Sequence, residues 1–147
     1  MTSNGSPIVI LLADDDEDDR MMTEDAFRRH RLANEFHAVV DGEELMDFLK
    51  RRGKHKDAPR PDIILLDLNL PKKDGREVLS EIKQDENLRY IPVVILTTSK
   101  AEEDVLKSYH LHANCYVTKP VDLEKFITVV QSIDRFWLTV VTLPNAK

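Results

Sequence analysis

Four places in the chain set a polar side chain at the end of a short apolar run. Asp67 follows Ile63 to Leu66, and Asp14 and Asp15 come just after Ile8 to Leu12. Thr97 follows Val93 to Leu96, and Lys119 comes just after Cys115 to Val117. Apolar runs this short read as strands buried on both faces. A carboxylate against such a run is costly unless it sits at the strand end with partners. Carboxylates gathered in one place repel each other and call for a cation. An all-oxygen donor set selects a hard ion such as Mg²⁺, which keeps several waters and takes only one or two carboxylates directly. A carboxylate beside that ion can attack phosphorus and give an aspartyl phosphate. The metal and an ammonium such as that of Lys119 would neutralise charge on the transferring group. The Thr97 hydroxyl can donate a hydrogen bond to a phosphoryl oxygen.

For these groups to meet, the strands that carry them must share an edge. The first strand, Ile8 to Leu12, runs into six consecutive acidic residues, Asp14 to Asp19. A helical pattern then places Met22, Ala26 and Phe27 on one face. Phe36 to Val40 reads as the second strand, closed by Asp41-Gly42. Leu45, Phe48 and Leu49 mark the second helix. Lys50 to Arg60 is basic, contains Gly53 and Pro59, and reads as an exposed loop rather than a nuclear-import signal. After the third strand, Ile63 to Leu66, Pro71 breaks the run and Asp74-Gly75 makes a turn. Val78, Leu79 and Ile82 mark the third helix. Val93 to Leu96 is the fourth strand, entered through Pro92. Val105, Leu106 and Tyr109 mark the fourth helix. Cys115 to Val117 is the fifth strand, stopped by Lys119-Pro120. Asp122 caps a final helix with Leu123, Phe126, Ile127, Val130 and Trp137 on one face. Five alternations of strand and helix imply an α/β fold, a parallel sheet covered on both faces with right-handed crossovers. The carboxyl ends of its strands form one edge, where ligands bind in such sheets. Asp14, Asp15, Asp67, Thr97 and Lys119 all land there.

Composition narrows the setting. A chain of 147 residues, 41% of them hydrophobic, suits one globular domain with one core. A formal net charge of −6 argues against a nucleic-acid partner, which would need a basic face. The lone cysteine, Cys115, forms no internal disulfide and suits a reducing compartment. No apolar run is long enough for a membrane helix. Met1 to Ser6 carries no basic residue ahead of the apolar run, unlike a signal peptide. The expectation is a cytoplasmic protein, with no membrane partner and residues 1–6 as a disordered lead-in.

The motifs resemble those of the receiver domains of two-component response regulators. The resemblance is carried by Ile-Leu-Leu-Ala-Asp-Asp at 10–15, Asp-Ile-Ile-Leu-Leu-Asp-Leu-Asn-Leu-Pro at 62–71 with Asp74-Gly75 behind it, Ile-Leu-Thr-Thr-Ser at 95–99, and Tyr-Val-Thr-Lys-Pro at 116–120. All four in register make a specific signal. The resemblance covers residues 7–138 as a receiver domain and leaves 139–147 as a C-terminal extension. It implies a flavodoxin-like (βα)5 doubly wound sheet in the order 2-1-3-4-5. It implies that Asp67 is the phosphoacceptor, that Asp15 binds Mg²⁺ directly, and that Asp14 holds it mainly through water. Asn69 would lend its backbone carbonyl to the metal. Thr97 and Lys119 would contact the phosphoryl group, and Tyr116 would be the rotating aromatic of the switch. The Lys119-Pro120 bond would be cis. The implied partner is a histidine kinase, and the implied assembly is a homodimer through the fourth helix, fifth strand and final helix. Asp-Leu-Asn-Leu-Pro, Leu-Thr-Thr-Ser, the long basic loop and the apolar C-terminal end are most similar to the single-domain regulators that serve bacterial phytochrome kinases. Ala13, where a larger apolar residue is usual, and Asp16, which thickens the acidic cluster, are departures that remove no catalytic group.

Other readings of these residues fare worse. The acidic run could be solvated, which suits Asp18 and Asp19 but not Asp14 and Asp15 beside a buried strand. A calcium loop beginning at Asp14 needs Gly and Glu where Asp19 and Asp25 stand. A phosphatase with an aspartyl nucleophile needs a second Asp at Asn69. No Gly-rich phosphate loop is present. His30, His37, His55, His110 and His112 form no i, i+4 pair and read as ordinary surface or core residues. Cys115 reads as a small buried hydrophobe. The final helix carries a second apolar stripe, Val129, Ile133, Phe136 and Val140, beside its core stripe. A helix on one face of a sheet needs only one, so this stripe reads as a partner surface, which the resemblance implies is a homodimer surface. A receiver fold that signals without phosphorylation is the alternative of another class, and the complete set of metal and phosphoryl groups argues against it.

Overall fold

A computed structural model describes residues 8–29, 34–107, 115–121, 124 and 126. Five parallel strands form one sheet: β1 (Ile8–Ala13), β2 (Asn34–Val39), β3 (Ile63–Asp67), β4 (Val93–Thr97) and β5 (Cys115–Thr118), in the order β2-β1-β3-β4-β5. The described helices are α1 (Glu17–Arg29), α2 (Gly42–Lys50), α3 (Gly75–Gln84) and α4 (Lys100–Lys107). This is the flavodoxin-like doubly wound order, in which β1 and β3 lie side by side at the point where the winding reverses.

The inner strands β1, β3 and β4 are apolar up to their carboxyl ends because both faces of the sheet are covered. Leu11, Ala13, Ile64, Leu66, Val93 and Ile95 share one core with Leu45 and Phe48 of α2 and Val78, Leu79 and Ile82 of α3. The alternate residues, Ile10, Leu12, Ile63 and Leu65, are equally buried and face the other side, since side chains along a strand alternate. On that other side Phe27 of α1 meets Phe126 edge to face, with ring centroids 5.1 Å apart. Each such buried aliphatic or aromatic side chain stabilises the fold by about 1.5–3 kcal/mol. Aspartates start the helices: Asp41 accepts the Glu44 N–H at 2.7 Å, Asp74 accepts the Arg76 N–H at 2.7 Å, and Asp16 accepts the Asp19 N–H at 3.0 Å.

Three expectations change. Met22 is exposed rather than packed; the inward stripe of α1 is Asp19, Thr23, Ala26 and Phe27, at helical spacing from the cap at Asp16. Val105 is likewise exposed, and α4 turns Glu103 and Leu106 inward instead. Of the two acids expected to be solvated, Asp18 is exposed, but Asp19 is only partly so and meets Lys119; both lie in α1, which begins at Glu17. His55 is half-buried, lies against the Phe48 ring and meets the Glu44 carboxylate at 2.9 Å. Tyr109, Asp122, Leu123, Ile127, Val129, Val130, Ile133, Phe136, Trp137 and Val140, with segments 1–6 and 139–147, lie outside the described residues. So do His30, His110 and His112.

Candidate functional site

Strand register brings the site together. Ala13 of β1 is level with Leu66 of β3, so the next residues, Asp14 and Asp67, are neighbours at the strand ends. Asp67 is level with Leu96 of β4, which puts Thr97 one step beyond it. Thr97 is level with Thr118 of β5, and Lys119 follows. The Lys119 N–H donates to the Thr97 carbonyl at 2.7 Å, and the Lys119-Pro120 bond is cis.

Asp14 is fully buried, Asp67 nearly so, and Asp15 exposed. Carboxylate oxygens of the three lie within 4.8 Å of one another. The Lys119 ammonium sits among them, 3.1 Å from Asp14 Oδ2 and 3.0 Å from Asp67 Oδ2. A further carboxylate joins it: Asp19 Oδ2 stands 2.9 Å from the same nitrogen. Backbone donors hold the acids in place. The Asp16 N–H donates to Asp14 Oδ1 at 2.9 Å, and the Asn69 N–H donates to Asp67 Oδ1 at 2.9 Å. Arg20 Nη1 donates to the Asp14 carbonyl at 2.9 Å. Thr97 is buried, its Oγ1 3.5 Å from Thr118 Oγ1. Asn69 is exposed on the loop behind Asp67. Tyr116 is half-buried against the core that α2 and α3 share.

Burial pushes the Asp14 carboxyl above the usual carboxylate range, outweighing the Asp16 N–H and the Lys119 ammonium, which pull it down. Burial pulls the Lys119 ammonium down, but its contacts with Asp19, Asp67 and Asp14 together outweigh that and hold it above the usual lysine range. Three carboxylates contact the one ammonium, and Asp15 adds a fourth to the cluster, which leaves surplus negative charge. An all-oxygen set with that surplus fits a hard divalent cation.

Asp19 and Arg20 are site residues that motif reading misses. The signal for Asp19 is present in the helix phase, since it stands four and eight residues before Thr23 and Phe27 on the stripe that faces the sheet. The loop behind β4 is held by a reciprocal cap: Ser99 Oγ accepts the Glu102 N–H at 3.1 Å and Glu102 accepts the Thr98 N–H at 2.6 Å.

Comparison with known proteins agrees with this geometry. The family model of the response regulator receiver domain matches residues 10–131. The response regulator Rcp1 of Synechocystis sp. strain PCC 6803 is 50% identical over 140 residues, which is 95% of this chain and 95% of Rcp1. A crystal structure of the Mn²⁺-bound form of Rcp1 aligns with a TM-score of 0.70 at 49% identity, covering 90% of this chain and 95% of that one. The bacteriophytochrome response regulator AtBRR aligns with a TM-score of 0.83 at 41% identity, over 89% of this chain and 95% of AtBRR. The phosphorylated cyanobacterial phytochrome response regulator RcpA aligns with a TM-score of 0.71 at 47% identity, over 90% of this chain and 94% of RcpA. With the acidic cluster and the lysine on the rim that this fold provides, the chain belongs to the family of response regulator receiver domains.

Proposed function

We propose that the protein is a single-domain switch gated by phosphorylation, with Asp67 as the phosphoacceptor and a phytochrome-class histidine kinase as the donor. The observation that carries this reading is the meeting of Asp14, Asp15, Asp67 and Lys119 at the β1/β3 crevice. The kinase assignment is supported by the names of AtBRR and RcpA, a bacteriophytochrome and a phytochrome response regulator.

In the transfer, an Asp67 carboxylate oxygen forms a bond to phosphorus while the nitrogen–phosphorus bond of a phosphohistidine breaks. The imidazole nitrogen leaves with the electron pair and takes up a proton. Mg²⁺, held by Asp14, Asp15, Asp67 and the Asn69 backbone carbonyl, would neutralise charge on the phosphoryl group. Lys119 now holds the Asp67 carboxylate and is placed to hold a phosphoryl oxygen instead. The Thr97 hydroxyl donates to another, and Tyr116 moves into the space Thr97 leaves. These two shifts bias a two-state face rather than build a new one. The protein catalyses only its own phosphorylation and dephosphorylation.

The face that responds spans α4, β5 and the final helix. Its dimer-forming residues are Val129, Ile133, Phe136 and Val140; their second apolar stripe supports this, as does the exposed Val105 on α4. The receiver unit spans residues 7–138, with 1–6 a lead-in and 139–147 an extension. It acts in the cytoplasm without nucleic acid. No described helix is long and apolar enough to cross a membrane.

Incubation with Mg²⁺ and a small phosphodonor, followed by intact mass measurement, tests the reading. Wild type gains one phosphoryl group and Asp67→Asn gains none. No gain by wild type, or equal gain by both, contradicts it.

A further inference from the structure

The segment from Leu68 to Asp74 joins Asp67 to α3 and carries Asn69 two residues behind the acceptor. Backbone contacts that leave no room for a side chain hold it from two sides. At its far end the Gly75 N–H donates to the Leu68 carbonyl at 3.0 Å, and a Cβ on Gly75 would stand 2.5 Å from the Leu68 Cα. That contact belongs to the loop's own helix. The other comes from α2, which supplies no side chain to the acidic cluster. Gly42, the first residue of α2, donates its N–H to the Pro71 carbonyl at 3.2 Å. A Cβ on Gly42 would stand 2.0 Å from the Lys73 carbonyl oxygen and 2.7 Å from the Lys73 Cβ. Gly42 is not in the left-handed region, so the close approach, and not the backbone conformation, is what demands glycine there.

Two further contacts tie the same corner. The Lys73 N–H donates to the Pro71 carbonyl at 2.7 Å, so one oxygen receives donors from both the loop and α2. Lys72 is held left-handed, with φ 67°, and its ammonium lies 3.6 Å from Asp41 Oδ2, the cap of α2. A side chain on Gly42 would therefore drive the 71–73 corner away from α2 and drag the Leu68–Asn69 backbone beside Asp67 with it.

We infer that Gly42 is a positioning residue for the phosphoacceptor loop. The bare N-terminus of α2 sets where Leu68 and Asn69 stand, and through them the divalent-metal affinity of a site to which α2 gives no ligand. This rests on the reading of Asp67 and Asn69 as metal-site residues, and the test separates the two. Mg²⁺ affinity of the full chain is measured by calorimetry, and amide hydrogen exchange at Asn69 is measured in metal-free protein. Gly42→Ala should weaken Mg²⁺ binding by about tenfold or more, the scale seen when groups that orient metal ligands are disturbed. It should also speed exchange at Asn69, whose N–H now bonds Asp67 Oδ1. The core variant Ile82→Val, away from the loop, should lower stability and leave both readouts as in wild type. Wild-type affinity and exchange in Gly42→Ala would overturn the inference, as would an equal loss of affinity in Ile82→Val. If Gly42→Ala does not fold, Lys72→Ala decides, since its side chain is exposed: exchange at Asn69 should quicken and Mg²⁺ affinity fall by up to about fivefold, the scale of an exposed ion pair. Unchanged exchange there would overturn the inference. Absence of Mg²⁺ binding by wild type would instead overturn the reading of the site.

Discussion

Asp14 shares the Lys119 ammonium with Asp67 and Asp19, so three carboxylates draw on one positive charge at a fully buried position. A buried charge shared in this way costs the fold stability. Asp14→Asn keeps an acceptor oxygen for the Asp16 N–H and removes a buried charge, with its amide nitrogen in place of the Oδ2 that meets Lys119. It should stabilise the metal-free protein by on the order of 1 kcal/mol, seen as a higher urea midpoint at unchanged slope, and it should weaken Mg²⁺ binding. A lower midpoint would contradict the account. Asp14, Asp67 and Lys119 were legible in the sequence because a charged residue directly behind a buried run can only stand at the strand end. Asp19 was not. It is one of six adjacent acids, and which of them turns inward depends on the phase of α1, set by the cap at Asp16. The same phase explains Met22, which lies one position off the stripe that faces the sheet.

Helix α2 shows how an element outside the chemistry is tied to it. Its cap at Asp41 is joined by Glu44, whose carboxylate accepts the Val40 N–H at 2.9 Å and meets His55 at 2.9 Å and Lys54 at 3.2 Å. Burial pushes the Glu44 carboxyl up, but these three partners together outweigh burial and hold it below the usual glutamate range. The folded chain therefore binds fewer protons there than the unfolded chain. The stabilisation is present above the usual glutamate range and is lost as pH falls through it. Glu44→Gln should lose about 1 kcal/mol near neutral pH, the scale of a helix cap, and should lose less than wild type on acidification. Urea unfolding at a series of pH values measures this, and parallel pH profiles for the two proteins would contradict it. The existence and type of each described element could be read from apolar spacing. The basic stretch after α2 could be read only as exposed, because composition conceals that its turn at Gly53–His55 folds His55 back onto Glu44.

At the scale of the whole molecule, alternation of strand and helix dictates a parallel sheet with one functional edge, and the chain follows it. Which strand is central is not written in any local run, since β1, β3 and β4 are all apolar; the order came from the resemblance of four motifs, and the structure has that order. The final helix, proposed to carry the dimer surface, lies mostly outside the described residues. The central claim is that register between β1, β3, β4 and β5 makes one carboxylate, Asp67, the acceptor. The most direct test is to phosphorylate the full chain in the presence of Mg²⁺, reduce the acyl phosphate with borohydride, and locate the reduced residue by peptide mass. The account predicts reduction at Asp67 alone; reduction at Asp14, Asp15 or Asp19, or at no residue, would contradict it.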